Sequence, residues 1–164
     1  MGSQKPRFIP APQCRIGVVA DTHGWMHPEV SDALRGVDLI VHVGDIGDPG
    51  ILEELRRIAP VQAVRGNMDS EPWACTLPDE VEIEAGTARI LMVHDADRVK
   101  PEQVAAHDAV IVGHSHLAAQ EKRSGKLFFN PGTAGHARPG RPVSVGLLQI
   151  DCGRIDGEIV LLEA

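Results

Sequence analysis

Short apolar runs recur along the chain: Ile16-Gly17-Val18-Val19-Ala20, Leu39-Ile40-Val41-His42-Val43, Val61-Gln62-Ala63-Val64, Ile90-Leu91-Met92-Val93 and Val110-Ile111-Val112. Runs of this length, rich in β-branched residues and bounded by Gly, Asp and Asn, predict buried strands. Between the first two runs, Pro28 to Gly36 reads as a short helix, with Glu29 in its first turn and Gly36 as its stop. After the second run, Asp48-Pro49 supplies a capping side chain and then a proline at the first helical position. Ile51, Leu52, Leu55 and Ile58 follow as an apolar stripe at helical spacing, which ends before Pro60. Strands alternating with helices predict βαβ units and a largely parallel sheet in this half.

The second half changes character. Val81 to Val93 reads as a hairpin turning near Gly86, and Leu117 to Phe129 as another turning at Ser124-Gly125. Val143 to Ile150 and Ile155 to Leu162 form a third, joined through Asp151-Cys152-Gly153-Arg154, and one short helix is expected between Pro101 and His107. A sheet that begins parallel and then gathers hairpins is best housed as two packed sheets with helices outside. Gly66 to Pro78 and Gly132 to Pro142 are the least regular stretches, and long irregular loops in a compact domain commonly serve a site.

At 164 residues the chain fits one domain, expected over residues 14–164. A hydrophobic fraction of 43% supports a globular fold, and no apolar run approaches the roughly 20 residues of a membrane span. Residues 1–13 carry three prolines and no periodic pattern, so a flexible N-terminal tail is expected there. The net charge of −7 argues against extended nucleic acid as a partner, because backbone binding relies on basic surface. Cys14, Cys75 and Cys152 are odd in number and far apart, which points to a reducing, cytoplasmic compartment. Association into homo-oligomers is left open.

The polar residues at the strand ends carry the chemistry. Asp21 and His23, Asp45, Asn67, His94, and His114 with His116 each follow one of the five runs. Taken singly, each has a bland explanation. Asp21 suits a helix cap or Asx-turn, Asp45 and Asn67 sit in ordinary Gly-rich turn sequences, and His94 is a lone histidine. Repetition at five successive strand ends is harder to attribute to chance, because parallel strands present their carboxyl ends along one edge. In extended chain, residues two apart project to the same side, so Asp21/His23 and His114/His116 would each aim two groups into one space. Imidazole, carboxylate and amide groups without thiolate suit Mn, Fe, Zn, Co or Ni rather than Ca or a structural Cys-bound Zn. Seven ligands exceed the needs of one ion with open positions but suffice for two if one carboxylate bridges.

Asp21-Thr22-His23-Gly24, Gly44-Asp45, Gly66-Asn67-x-Asp69, His94, Gly113-His114-Ser115-His116 and Asn130-Pro131-Gly132-Thr133 together resemble the calcineurin-like metallophosphoesterases. The set is similar to their small single-domain branch of bacterial and archaeal phosphodiesterases, relatives of a retromer subunit, and spans about residues 14 to 162. The resemblance implies a four-layer α/β/β/α sandwich of two mixed sheets flanked by helices. It implies Asp21, His23 and His116 at one metal, Asn67, His94 and His114 at a second, and Asp45 bridging. Mn is the favoured ion, a metal-bridging hydroxide the nucleophile, and Asp45, Asn67 and His94 the catalytic group. The substrate implied is a small-molecule phosphate diester or monoester.

Two departures stand out. Met68 follows Asn67 where many larger members have a histidine, a proposed acid for the leaving group, and His94-Asp95-Ala96 replaces His-Gly-His. Asp95, Arg138 and Arg141 are candidate substrate contacts. A metal-binding interaction scaffold of the same fold, and a metal-binding regulator without turnover, are the competing expectations. Among the other polar and aromatic residues, His42 reads as a core or supporting histidine, His107 and His136 as solvated, and His27 as a helix start. Trp25, Met26 and Trp73 read as packing against the motif loops.

Overall fold

The first predicted strand is also the spine of the protein in the computed structural model, which describes residues 7–9 and 13–162. β1 (Arg7–Ile9) and β2 (Gln13–Val19) lead to a short helix α1 (Val30–Ala33), then β3 (Leu39–His42), α2 (Pro49–Arg56) and β4 (Val61–Ala63). β2, β3 and β4 run parallel in consecutive pairs. β5 (Glu80–Ala85), β6 (Ala88–Val93), α3 (Pro101–Ala106), β7 (Ala109–Ile111), β8 (Ala119–Arg123), β9 (Lys126–Asn130), β10 (Ser144–Asp151) and β11 (Arg154–Leu161) complete the fold. One sheet has the order β11-β10-β2-β3-β4 and the other β1-β5-β6-β7-β9-β8. Both mix parallel and antiparallel pairs, as the four-layer sandwich requires.

Period-two alternation assigns each strand's faces. Ile16, Val18, Leu39, Val41, Leu148 and Ile150 of the first sheet meet Ile83, Ile90, Met92, Ile111, Leu127 and Phe129 of the second in one buried core. Val19, Ile40 and Val145 point the other way, against Val30 and Leu34 near α1 and Ile51, Leu52 and Leu55 of α2. The Phe129 ring fits because β10 and β11 present glycines there. A Cβ on Gly146 or Gly157 would come within 2.3 or 2.8 Å of the ring, closer than real contacts allow. The helix layer over the second sheet is thin, since α3 buries none of its residues fully.

The hairpins turn where expected. Ser124-Gly125 and Cys152-Gly153 all have positive φ, the signature of two-residue turns whose twist matches the strands. Asp48 caps α2 by accepting from the Gly50 amide at 2.7 Å. The expected helix from Pro28 to Gly36 narrows to Val30–Ala33, with the rest in turns, because Gly36 at φ 84° reverses the chain early. Arg7–Ile9, within the supposed tail, pairs in parallel with Ile83–Ala85, and Gln13 already belongs to β2. An edge strand leaves a row of amides and carbonyls for a short segment to pair with, and three residues need no periodic pattern to do so. The rest of that segment lies outside the described residues. Among the described residues, no helix is long and apolar enough to cross a membrane.

Candidate metal centre

Five of the seven strand-end residues adopt left-handed backbone: Asp21 (φ 55°), His23 (48°), Asp45 (54°), His114 (71°) and His116 (62°). Asp and His are among the few side chains that visit this region readily, and such concentrated strain accompanies function. Neither two-apart pair is therefore extended, as the spacing argument supposed. Asp21 and His23 stay together, but His114 and His116 part. Asp21, His23 and His116 offer atoms within 4.8 Å of one another, and so do Asp45, His94 and His114.

In the first group, the Nε2 atoms of His23 and His116 face each other at 3.1 Å under stacked rings. Asp21 Oδ1 lies 3.9 and 3.6 Å from them, too far to accept a hydrogen bond. This oxygen is buried and has no hydrogen-bond partner, while Oδ2 accepts from the His114 amide at 3.0 Å. Burial pushes Asp21 up to about 7 and His116 down to about 4, the latter helped by the charge of Arg138. Burial lowers His23 as well, against the pull of Asp45. Neutral imidazoles and an oxygen without a proton donor together form a cradle that a cation would complete.

The second group is already knitted. Asn67 Oδ1 sits 3.0 Å from His94 Nε2 and 3.1 Å from His114 Nδ1. His94 Nδ1 lies 2.7 Å from the Val43 carbonyl, to which it donates, leaving Nε2 to face the site. Asp45 Oδ1 accepts from the Met68 amide at 2.9 Å. Its Oδ2 lies 3.3 Å from His94 and 3.8 Å from His23, between the two groups. Burial opposes the charge on Asp45, but His94 and the Met68 amide outweigh it and lower the carboxyl. Burial likewise opposes charge on His94, yet Asp45 and the Val43 carbonyl raise it.

Glycines let these loops meet. A Cβ on Gly66 would fall 2.1 Å from Asp45 Oδ1, and one on Gly44 would fall 2.6 Å from His94 Nδ1. No larger residue fits at either position without moving the site.

Several supporting residues carry roles that the motif alone did not assign. Asp69 accepts from the amides of Ile46, Gly47 and Gly66 at 2.9 to 3.1 Å and so clamps the Asp45 loop onto the Asn67 loop. His42, fully buried and pushed down to about 3, accepts from the Gly44 amide at Nδ1 and pairs with Thr22 through Nε2 at 2.9 Å. Thr22 in turn donates to the Ile46 carbonyl. Asn130 donates to the Gly113 carbonyl and to Ser115, and Thr133 donates to the Asp21 carbonyl. Their signal in the sequence was their place beside glycines in the motif segments.

The candidate substrate contacts fall at the rim. Arg141 Nε donates to the Ser115 carbonyl at 2.8 Å, pinning its turn over the His114–His116 loop, and the Arg138 charge bears on the first group. Asp95 caps the short 3-10 helix Ala96–Arg98 through the Asp97 amide. Trp25 stacks on the exposed His136, Met26 is buried, and His27 accepts from the Glu29 amide beside α1. Trp73 packs beside the helical core and donates to Glu71. His107 departs from the solvated reading. It is buried, with Nδ1 2.6 Å from the Gln103 carbonyl and Nε2 3.1 Å from Glu82. The end of α3 folds it back onto β5, a contact that its flanking sequence did not signal.

Residues 14–153, which hold every one of these groups, match the calcineurin-like phosphoesterase superfamily domain. The chain belongs to that superfamily. A probable metallophosphoesterase of Methanothermobacter thermautotrophicus is 34% identical over 158 residues, covering 88% of this chain and 91% of the relative. Phosphodiesterase YfcE of Escherichia coli K12 is 29% identical over 171 residues, covering 84% and 88%. Among solved structures, an archaeal phosphodiesterase superposes with a TM-score of 0.73 at 21% identity, over 89% of this chain and 99% of that one. Vps29 of Chaetomium thermophilum superposes with a TM-score of 0.73 at 22% identity, over 91% and 97%. These two likenesses establish the shared calcineurin-like fold. The superfamily implies divalent metal ions, and the two side-chain groups are donor sets of the matching kind.

Proposed function

We propose that this calcineurin-like protein hydrolyses phosphate esters of small molecules, diesters or monoesters, at a centre for two divalent ions. Asp21, His23 and His116 would hold one ion, Asn67, His94 and His114 the other, with Asp45 between them. Mn is the favoured ion, with Fe, Zn, Ni and Co as alternatives. The observation that carries the reading is the buried Asp21 Oδ1, turned without a donor toward two imidazole nitrogens, while Asp45 reaches both groups. When bound, such a pair supplies Lewis acidity at phosphorus and acidifies a water for attack.

The chain's own residues do the rest. His94 keeps Nε2 toward the reacting space because Nδ1 is committed to the Val43 carbonyl. Asp69 and Thr22 hold the Asp45 loop, and Arg138 places a guanidinium at the rim of the first group, where an anionic phosphoryl oxygen would be drawn. Met68 is 65% exposed and cannot donate a proton, so the leaving group would take its proton from solvent. Good leaving groups are therefore favoured.

Met68 is also the observation favouring a second reading, a metal-binding interaction scaffold. The complete ligand set argues for turnover. The test is hydrolysis of an aryl phosphodiester and an aryl phosphomonoester by metal-stripped protein with Mn, Ni, Zn or Mg restored, beside His94→Ala. Metal-dependent release of the aryl alcohol, lost in the variant, supports the enzyme; equal background rates in both proteins support the scaffold.

A further inference from the structure

We propose that the cavity beside Asn67 and His94 receives a second phosphate on the substrate, with Arg98 as the residue that selects it; this rests on the phosphoesterase reading. The cavity holds about 390 Å3, and Asn67 and His94 line it together with Arg65, Ser70, Asp79 and Arg98. Ligand clefts for small molecules span roughly 300–1,000 Å3, so this one fits a short arm rather than a polymer.

The charged groups along the wall are not equally available. Arg65 is committed to Asp79, with Nε and Nη2 at 3.1 and 2.8 Å from one oxygen. Asp69 is spent on backbone amides, and Asp95 accepts from the Asp97 amide. Arg98 differs. Its backbone amide donates to the Asp95 carbonyl, which fixes the turn, but its guanidinium has no hydrogen-bond or ion-pair partner among the described residues. A free guanidinium presents a planar fork of donors that matches phosphate oxygens in pairs.

The position of this fork gives the specificity. An ester held at Asn67 and His94 would share this cavity with Ser70 and Arg98, which also line it. A neutral arm gains nothing from the fork, whereas a terminal phosphate gains a charge-assisted contact. The residue sits in the segment Asp95-Ala96-Asp97-Arg98, where this chain departs from His-Gly-His. The favoured substrate class is thus a small phosphate ester bearing another phosphate a few bonds away.

The test is calorimetric, on the Mn-loaded full chain, with propane-1,3-diyl bisphosphate against propyl phosphate. The bisphosphate is expected to bind at least about tenfold tighter, a ratio that collapses toward one in Arg98→Ala and partly recovers in Arg98→Lys. Cys75, exposed and also lining this cavity, supplies an independent reporter. Its alkylation, followed by peptide mass spectrometry, should be slowed by the bisphosphate in the original protein and not in Arg98→Ala. Equal affinities in the original protein, or an advantage that survives Arg98→Ala, would overturn the proposal. Absence of metal-dependent aryl diester hydrolysis would sink the enzyme reading instead, and the affinity ratio would still decide the role of Arg98.

Discussion

Asp21 and Asp45 are both buried carboxylates at strand ends in left-handed backbone, yet their surroundings drive their charges apart. Asp21 faces two neutral imidazoles with one oxygen unpaired and is pushed up to about 7. Asp45 is tied to the Met68 amide and lies beside His94, which lowers it. In the proposed centre, one half is therefore organised before a cation would bind. The other is assembled from groups that gain a common partner only when one does. A carboxylate between the halves lets the organised side position the unsatisfied one.

Removing the shared group should have the largest effect. Asp45→Asn would take the anion from both halves, and aryl phosphodiester hydrolysis with Mn is expected to fall at least on the order of 10²–10³-fold. A loss of less than tenfold would mean that Asp45 is not central. Next comes the clamp. Asp69→Ala leaves the Ile46, Gly47 and Gly66 amides without their acceptor, at about 1–3 kcal/mol for each group that stays dry, and should lower the melting temperature. Metal affinity should fall about 10–100-fold, as when other supporting groups are lost. Unchanged affinity in titrations would place the organisation of that half elsewhere.

Arg138→Ala should act mainly on the unsatisfied half. The KM for an anionic ester is expected to rise about tenfold or less, the worth of one charged contact. The His116 imidazole in metal-free protein should titrate higher than in the original, because the Arg138 charge now holds it down. NMR would read both imidazoles of the first group. The last effect concerns stability without metal. Asp21 stands near 7 when folded against an ordinary 3.8, so its contribution is full below about pH 4 and is lost as pH climbs through 7. Asp21→Asn should melt higher than the original metal-free protein above pH 7 and show no such gain near pH 4. Restoring Mn should reverse the order. A gain independent of pH would detach the effect from ionisation.

Much of this contrast was written in the sequence, but unevenly. The apolar runs located the strands, since a buried strand needs little more than β-branched residues between turn formers, and the polar residues at their ends marked the candidate site. The hairpins were legible because Ser124-Gly125 and Cys152-Gly153 satisfy a strict backbone demand. The division of His114 from His116 was not legible from spacing, because left-handed backbone at both residues breaks the alternation assumed for extended chain. It followed only from the family resemblance. The Asp69 clamp depends on amides from a loop 22 to 23 residues away, which local pattern cannot reveal. β1 escaped notice because three residues pairing with a sheet edge carry no period, and His107 because its partner Glu82 lies far away in the sequence.

The most direct measurement is anomalous diffraction from crystals soaked in Mn. The account predicts two peaks, about 3.5–4 Å apart as in other paired-ion sites, one against Asp21, His23 and His116 and one against Asn67, His94 and His114. Asp45 should touch both. A single peak, or a pair of peaks that Asp45 does not join, would contradict it.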